Sequence, residues 1–512
     1  MTNIGMTAFD TKKGLEEDEE SNFIEFSSER KTPGLTKRLL TVAIMGVLGI
    51  SVPAGYNLGV INTPQTVLEQ FCNRSLSQRG HFVSRNELDL LWSFIVSVYL
   101  ASAALGSLCA SFLADKIGRR QTLLLNNSLG LMSAAFFAFS EVANSIELLF
   151  LGRLTVGFYS GLGSSVGPMY LMEVAPLHLR GPLGVLHQLG LTLGILISQI
   201  LGQEEILGTE AMWPVLLSLY SVSVTIGLLL LPFCPECPAY LYINQNDHEK
   251  ALEALVKLRG LPIELLKEDI SLLKKEQKAK ESNHKWTMKN ILKDQTLRSA
   301  VLLMCAMHAG QQFIGISAVF YYSTNTFEKI GMTVKQSQYS SIGAGMTNFI
   351  MACIAIPLIR KCRRRFLILL SLIMSTISLL ILSLSMILQE VTFWMSYITI
   401  IALVLFVCFF GLGIGPIPFM IGSELFQQGP RAAGMSVGCA VNWSANFVIA
   451  VTFPIVKSVI GEYIFLVFAF VGFLLSGYFH FNLPETKDLD PVEVTKMMKE
   501  KQLFAQVQTS FV

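Results

Sequence analysis

Residues 395–420 read MSYITIIALVLFVCFFGLGIGPIPFM, 26 positions without one charged side chain. A membrane-crossing helix needs ~20 mostly apolar residues, so this stretch is long enough to span a bilayer. Working outward, eleven further stretches of similar character lie at about 39–62, 91–113, 121–140, 147–170, 183–202, 213–233, 299–322, 338–359, 366–388, 432–456 and 461–482. A polar break at 234–298 divides the twelve six and six. Composition agrees: of 512 residues 52% are hydrophobic and 15% charged, with mean hydropathy +0.52. Soluble domains carry roughly 25% charged residues, and disorder needs low hydrophobicity. A formal net charge of +2 leaves no electrostatic footprint for nucleic acid. The fold class is therefore all-α and polytopic, with membrane lipid as its solvent.

The pattern predicts an N-terminal tail over 1–38, a six-helix bundle over 39–233, a linker over 234–298, a second bundle over 299–482 and a C-terminal tail over 483–512. The linker is rich in Lys, and Lys116, Arg119, Arg120, Arg360, Lys361, Arg363, Arg364 and Arg365 crowd two short loops on the same side. The bias of basic residues toward the cytosol then places both termini and the linker inside, in a plasma-membrane protein. The first tail, with its acidic run Glu16–Glu20, is expected to be mobile and cytosolic rather than a signal peptide. The first outer loop carries Asn73-Arg74-Ser75, an N-glycosylation acceptor at Asn73. Nine cysteines, five of them within apolar runs, do not describe a disulfide framework.

The halves repeat each other. Glu173 and Arg180 flank the loop after the fourth span, and Glu424 and Arg431 flank the loop after the tenth, 251 residues later. Arg119-Arg120 recurs as Arg364-Arg365, and Pro235-Glu236 as Pro484-Glu485. Matching motifs at one long period indicate a duplicated six-helix unit, and transporters built this way bind substrate near the midplane, between repeats. One basic turn alone would be only a topology signal. Its recurrence with acidic partners predicts a cytosolic gate of Arg119, Arg120, Glu173, Arg180 and Glu236 in one half and Arg364, Arg365, Glu424, Arg431 and Glu485 in the other. Arg153, near the start of the fourth span, is expected either to find a partner or to snorkel to the interface.

Several patterns are set aside. Gly161–Gly167 is glycine-rich but follows no strand, and is explained by close helix packing. Cys234 and Cys237 have metal spacing without a second ligand pair. His187 and His308 are single histidines on helices, and no nucleophile–base set occurs, so neither enzymatic activity nor a cofactor or metal is expected.

Gly118-Arg119-Arg120, Arg153, Glu173 to Arg180-Gly181, Pro235-Glu236-Cys237-Pro238, Gln311-Gln312-Phe313-Ile314-Gly315, Gly415-Pro416-Ile417-Pro418 and Pro484-Glu485-Thr486-Lys487 resemble the sugar porters of the Major Facilitator Superfamily. Within them the chain looks like a facilitative glucose transporter (GLUT), over about residues 39–488. The resemblance implies a two-bundle fold, helices in the cytosolic linker, and alternating access to one hexose site. A sugar offers hydroxyls that donate and accept, so its site needs neutral amides and hydroxyls with an apolar wall. By resemblance Gln188, Gln311, Gln312, Asn348 and Asn442 match the sugar-contacting positions. Trp443 and Asn446 lie on the same span as Asn442, and Tyr321 and Tyr322 follow Gln312.

The chain departs from the glucose-carrier pattern at the pocket. Ser317 stands for an Asn, Phe419 for a Trp, Gly411 for a Glu and Phe313-Ile314 for Leu-Ser. Ala239, Arg360 and Arg363 also depart from it, which predicts a weaker second-half gate. The function expected is hexose uniport, of glucose, fructose or both. The alternatives kept are a same-fold carrier of another small solute (a polyol or urate-like), proton-coupled or not, and a transport-inactive sugar sensor. The chain ends Thr509-Ser510-Phe511-Val512, a pattern from Ser510 to Val512 that a PDZ domain reads as an added strand.

Overall fold

The structure is a computed structural model and describes residues 34–281, 291, 293–320, 332–389, 392 and 394–510. The acidic run Glu16–Glu20, Tyr321, Tyr322 and the terminal Phe511-Val512 lie outside them. Among the described residues all regular secondary structure is helical. The first half contains α1 (Lys37–Gly59), α2 (Gln65–Gln78), α3 (Arg85–Ile117), α4 (Arg119–Ser140), α5 (Ile146–Val174), α6 (Leu177–Leu201) and α7 (Trp213–Phe233). The linker carries α8 (His248–Arg259) and α9 (Lys267–Glu281). The second half contains α10 (Gln295–Phe313), α11 (Val334–Lys361), α12 (Arg364–Leu388), α13 (Met395–Leu412), α14 (Ile417–Leu425), α15 (Gln428–Ile460) and α16 (Ile464–Asn482), followed by α17 (Pro491–Ser510).

Among the described residues, ten helical stretches are long and apolar enough to cross a membrane by length and composition. One of them, Gly429–Asn482, holds both α15 and α16, which separate at Gly461. The remaining span is α5, whose Gly, Ser and Tyr content lowers its hydropathy because it is a core helix rather than a lipid-facing one. From Val156 to Val174 nearly every side chain is buried. A Cβ at Gly161 would overlap the Ala103 carbonyl oxygen, so the glycine run lets α3 and α5 touch backbone to backbone. Twelve spans result, six per half. The tenth is α13 and α14 in series, broken at Gly413–Pro416. In the seventh, α10 ends at Phe313, the chain bends at Ile314-Gly315 and helix resumes as far as Phe320.

The face that carries α8 and α9 is termed the linker face and the opposite one the far face. At the far face the first long loop is not irregular: α2 packs there, Phe71 against Trp213 with ring centroids 4.8 Å apart, and Arg79 pairs with Glu147 at 2.5 Å. Asn73 is exposed on α2, while Ser75 of the same triplet is buried and donates to the Asn144 carbonyl at 2.9 Å. All nine cysteines are free, Cys72 included. The backbone is helical up to Ser510, so pairing of this tail as an added strand would require the helix end to unwind.

Candidate functional site: a central cavity above a closed seam

At the linker face the two halves are pinned by buried charge. Gly118, at φ +93°, makes the turn between α3 and α4. The turn aims the Arg119 guanidinium at Glu173 on the end of α5, with Nε–Oε2 at 2.9 Å. Asp115 approaches Arg119 at 3.3 Å, and the Tyr240 ring lies 5.1 Å from its guanidinium. The second half repeats the arrangement: Arg364 at the start of α12 meets Glu424 of α14 at 3.2 Å, and Thr486 donates to the same carboxylate. The second-half contact therefore forms despite Arg360 and Arg363.

The other predicted gate residues sort differently. The Glu236 carboxylate accepts from the backbone N–H groups of Arg119 and Arg120, at 3.0 to 3.2 Å, and does not pair with their side chains. Burial raises its pKa, opposed by these N–H groups. Glu485 caps Arg364 and Arg365 in the same way, at 2.8 and 3.3 Å. The Arg120 guanidinium donates to the Leu231 and Pro232 carbonyls, and that of Arg365 to the His480 carbonyl. These four residues lock each half internally; they do not bridge the halves. Helix starts carry unsatisfied N–H groups and a positive end, which is why a carboxylate settles there.

Across the seam, Arg431 reaches Glu173 at 3.9 Å and Glu276 of α9 at 4.0 Å. Arg180, which the sequence placed in the gate, is half-buried beside it, in the field of Arg431, Glu276, Arg259 and Asp490. Glu276 has its pKa raised by burial, with Arg431 and Arg180 opposing. Arg259, ending α8, donates to the Val174 carbonyl at 2.7 Å and pairs with Asp269 at 3.0 Å. The linker thus straps α5 of one half to α15 of the other. Sequence reading missed Arg259 and Glu276, because a basic residue before Gly260 and an acid in a charged helix carry no signal beyond an ordinary solvated helix.

Above this seam lies a cavity of about 780 Å³, counted to its open mouth. All seven residues expected to hold substrate line it: Gln188, Gln311, Gln312, Ser317, Asn348, Phe419 and Asn442. Asn62 and Gln199, not singled out by the sequence, line its far end, and Asn62 is exposed there. The mouth therefore opens to the far face, where Lys335 and Glu205 pair across the halves at 2.9 Å.

Three of the amides, Gln311, Gln312 and Asn442, form one network with Ser317. Gln311 Nε2 donates to the Ile414 and Gly415 carbonyls at 3.2 and 2.7 Å, at the break between α13 and α14. Asn442 Nδ2 donates to Gln311 Oε1, and Gln312 Nε2 donates to Asn442 Oδ1 at 3.2 Å. Ser317 donates to Gln312 Oε1 at 2.6 Å. Asn348 Oδ1 has no partner among the described residues and faces Gly411. Arg153 finds partners rather than snorkelling. It is 2% exposed, donates to the Asn57 carbonyl at 3.0 Å and sits 4.4 Å over the Tyr99 ring.

Two six-helix halves, a neutral amide-lined cavity between them and a charged seam beneath define a carrier of the Major Facilitator type. The family model described as "Sugar (and other) transporter" matches residues 42–498, and the chain belongs to that family. It is a multi-pass membrane transporter, not an enzyme. It is 37% identical over 477 residues to facilitated glucose transporter member 3 of Gallus gallus, covering 93% of this chain and 94% of that one. To member 4 of Homo sapiens it is 39% identical over 482 residues, covering 91% and 92%. Among solved structures, the proton:xylose symporter XylE bound to 6-bromo-6-deoxy-D-glucose shares the fold at TM-score 0.80 and 20% identity, covering 91% of this chain and 100% of that one.

Proposed function

We propose that the protein is a facilitative hexose uniporter of glucose, fructose or both, working by alternating access with the linker face in the cytosol of a plasma-membrane protein. The amide network facing a single cavity carries this reading. Neutral groups that donate and accept suit ring hydroxyls, and bonds worth ~0.5–1.5 kcal/mol net allow release as well as capture. The seam of Arg119, Glu173 and Arg431 supports a gate on the cytosolic side.

Uniport is favoured by what surrounds Arg153. A proton-coupled carrier needs a group that titrates as the site alternates. The guanidinium donates to the Asn57 carbonyl and lies over the Tyr99 ring, and the Asn57 side chain, which bonds the Pro53 carbonyl at 2.9 Å, cannot ionise. Purified protein in sealed vesicles is expected to equilibrate labelled hexose without concentrating it when a pH gradient is imposed. Accumulation driven by the gradient, or alkalinisation of the medium on sugar addition, would reject uniport. A panel including polyols and urate tests the substrate class in the same vesicles.

Selectivity follows from Ser317 and Phe419, which line the cavity. Ser317→Asn extends a hydrogen-bonding arm, and Phe419→Trp adds an indole donor. In the double variant glucose is expected to compete for uptake about 3- to 10-fold more effectively, the effect of one added hydrogen bond. Unchanged competition counts against this account of the pocket.

A further inference from the structure

Phe419 forms the floor of the cavity, and two histidines lie beneath it. His187 of α6 and His308 of α10 belong to opposite halves, and each meets the Phe419 ring edge-on, at centroid distances of 4.8 and 5.2 Å. Both are 0% exposed and neither lines the cavity. His187 precedes the cavity residue Gln188, and His308 stands one turn before Gln311, nearer the linker face. The Asn442 amide donates to the His308 carbonyl at 3.1 Å, which ties the lower histidine to the network above.

Their ring nitrogens are poorly served. His187 Nδ1 bonds the Ser51 hydroxyl at 2.8 Å. His187 Nε2 and both nitrogens of His308 have no hydrogen-bond partner among the described residues. The Pro418 carbonyl faces the His308 ring but falls outside hydrogen-bonding geometry. Below them the seam is closed by Met172 and Ser423, in contact at 3.0 Å, and by Met420 against Gly184. Buried polar atoms without partners are uncommon and costly. Two phenylalanines would pack on Phe419 without that cost. A neutral imidazole donates at one nitrogen and accepts at the other, as a hydroxyl does.

We propose that His187 and His308 form a second, inner station for the hexose, reached when Phe419 moves aside as the linker face opens. The inference rests on the carrier reading above. The sugar leaves the amide network, passes the phenyl ring and gives its hydroxyls to the three waiting nitrogens from both walls of the seam. The station then shapes affinity on the linker side and not at the far mouth.

Zero-trans entry and zero-trans exit of glucose and fructose, measured in cells expressing the parent, His308→Phe and His308→Gln, test this. His308→Phe keeps the ring against Phe419 and removes both nitrogens. It is expected to raise the exit KM about 3- to 10-fold and to leave the entry KM within about twofold. Because passive transport holds Vmax/KM equal in the two directions, exit Vmax rises with exit KM. His308→Gln restores a donor and an acceptor and is expected to return the exit KM to within about twofold of the parent. Parent flux with unchanged exit KM in His308→Phe would overturn the station, as would equal change in both directions or failure of His308→Gln to restore it. Absence of any hexose flux in the parent would overturn the carrier reading and the station with it.

Discussion

Glu173→Leu is expected to open the linker face, and the effect should be large. This carboxylate sits between the guanidiniums of Arg119 at 2.9 Å and Arg431 at 3.9 Å, one from each half. Removing one partner of a buried pair costs ~3–5 kcal/mol, because the remaining charge stays desolvated. Applied to the closed seam, that loss shifts the ratio of closed to open states by about two to nearly four orders of magnitude. Arg119 retains Asp115 at 3.3 Å and Arg431 retains Glu276 at 4.0 Å, which places the effect toward the lower end. Two native thiols report the outcome: Cys237 is buried beside Glu173, and Cys439 bridges the seam to the Ser164 carbonyl at 3.5 Å. A maleimide applied from the linker side should alkylate both thiols much faster in the variant, while hexose exchange falls by at least about tenfold. Labelling at the parent rate would show that the pair holds the first half together and does not hold the seam shut.

Much of this arrangement is legible in the sequence. Two six-helix halves followed from span counting and from the Glu173/Arg180 and Glu424/Arg431 repeat, because the bilayer forces apolar length into sequence. All seven residues expected to hold substrate line one cavity, because an amide in an apolar span is costly unless it faces water or a partner, and all but Gln188 lie in the second half.

What remained hidden depends on which atom of a residue does the bonding. Arg120 and Arg365 read as ion-pair partners, yet their side chains donate to carbonyls within one half and their backbone N–H groups meet Glu236 and Glu485. Sequence names a guanidinium and is silent on the helix start beside it. Arg259 and Glu276 were equally hidden, since their partners, the Val174 carbonyl and Arg431, are far away along the chain. The histidines read as single histidines on separate helices; only the placement of α14 between α6 and α10 brings both rings to Phe419.

Gln311 carries the other large expectation, and the geometry changes its meaning. Both hydrogens of its amide are committed, to the Ile414 and Gly415 carbonyls, and its oxygen accepts from Asn442. Gln311 therefore holds the break between α13 and α14 open and aims Asn442, in addition to bordering the cavity. Gln312 uses one N–H on Asn442 and accepts from Ser317, which leaves its second hydrogen for substrate. Gln311→Leu keeps bulk but strands two buried carbonyls and an Asn amide. Each stranded group costs ~1–3 kcal/mol, so Vmax/KM for hexose uptake should fall by at least about 30-fold at equal surface expression. Gln312→Leu removes a substrate bond without stranding the break, and should raise KM severalfold with little change in Vmax. Initial uptake rates across a concentration series separate the two. If both substitutions shift KM alone and by the same factor, Gln311 is an ordinary substrate contact and the break at Gly413–Pro416 is held by other groups.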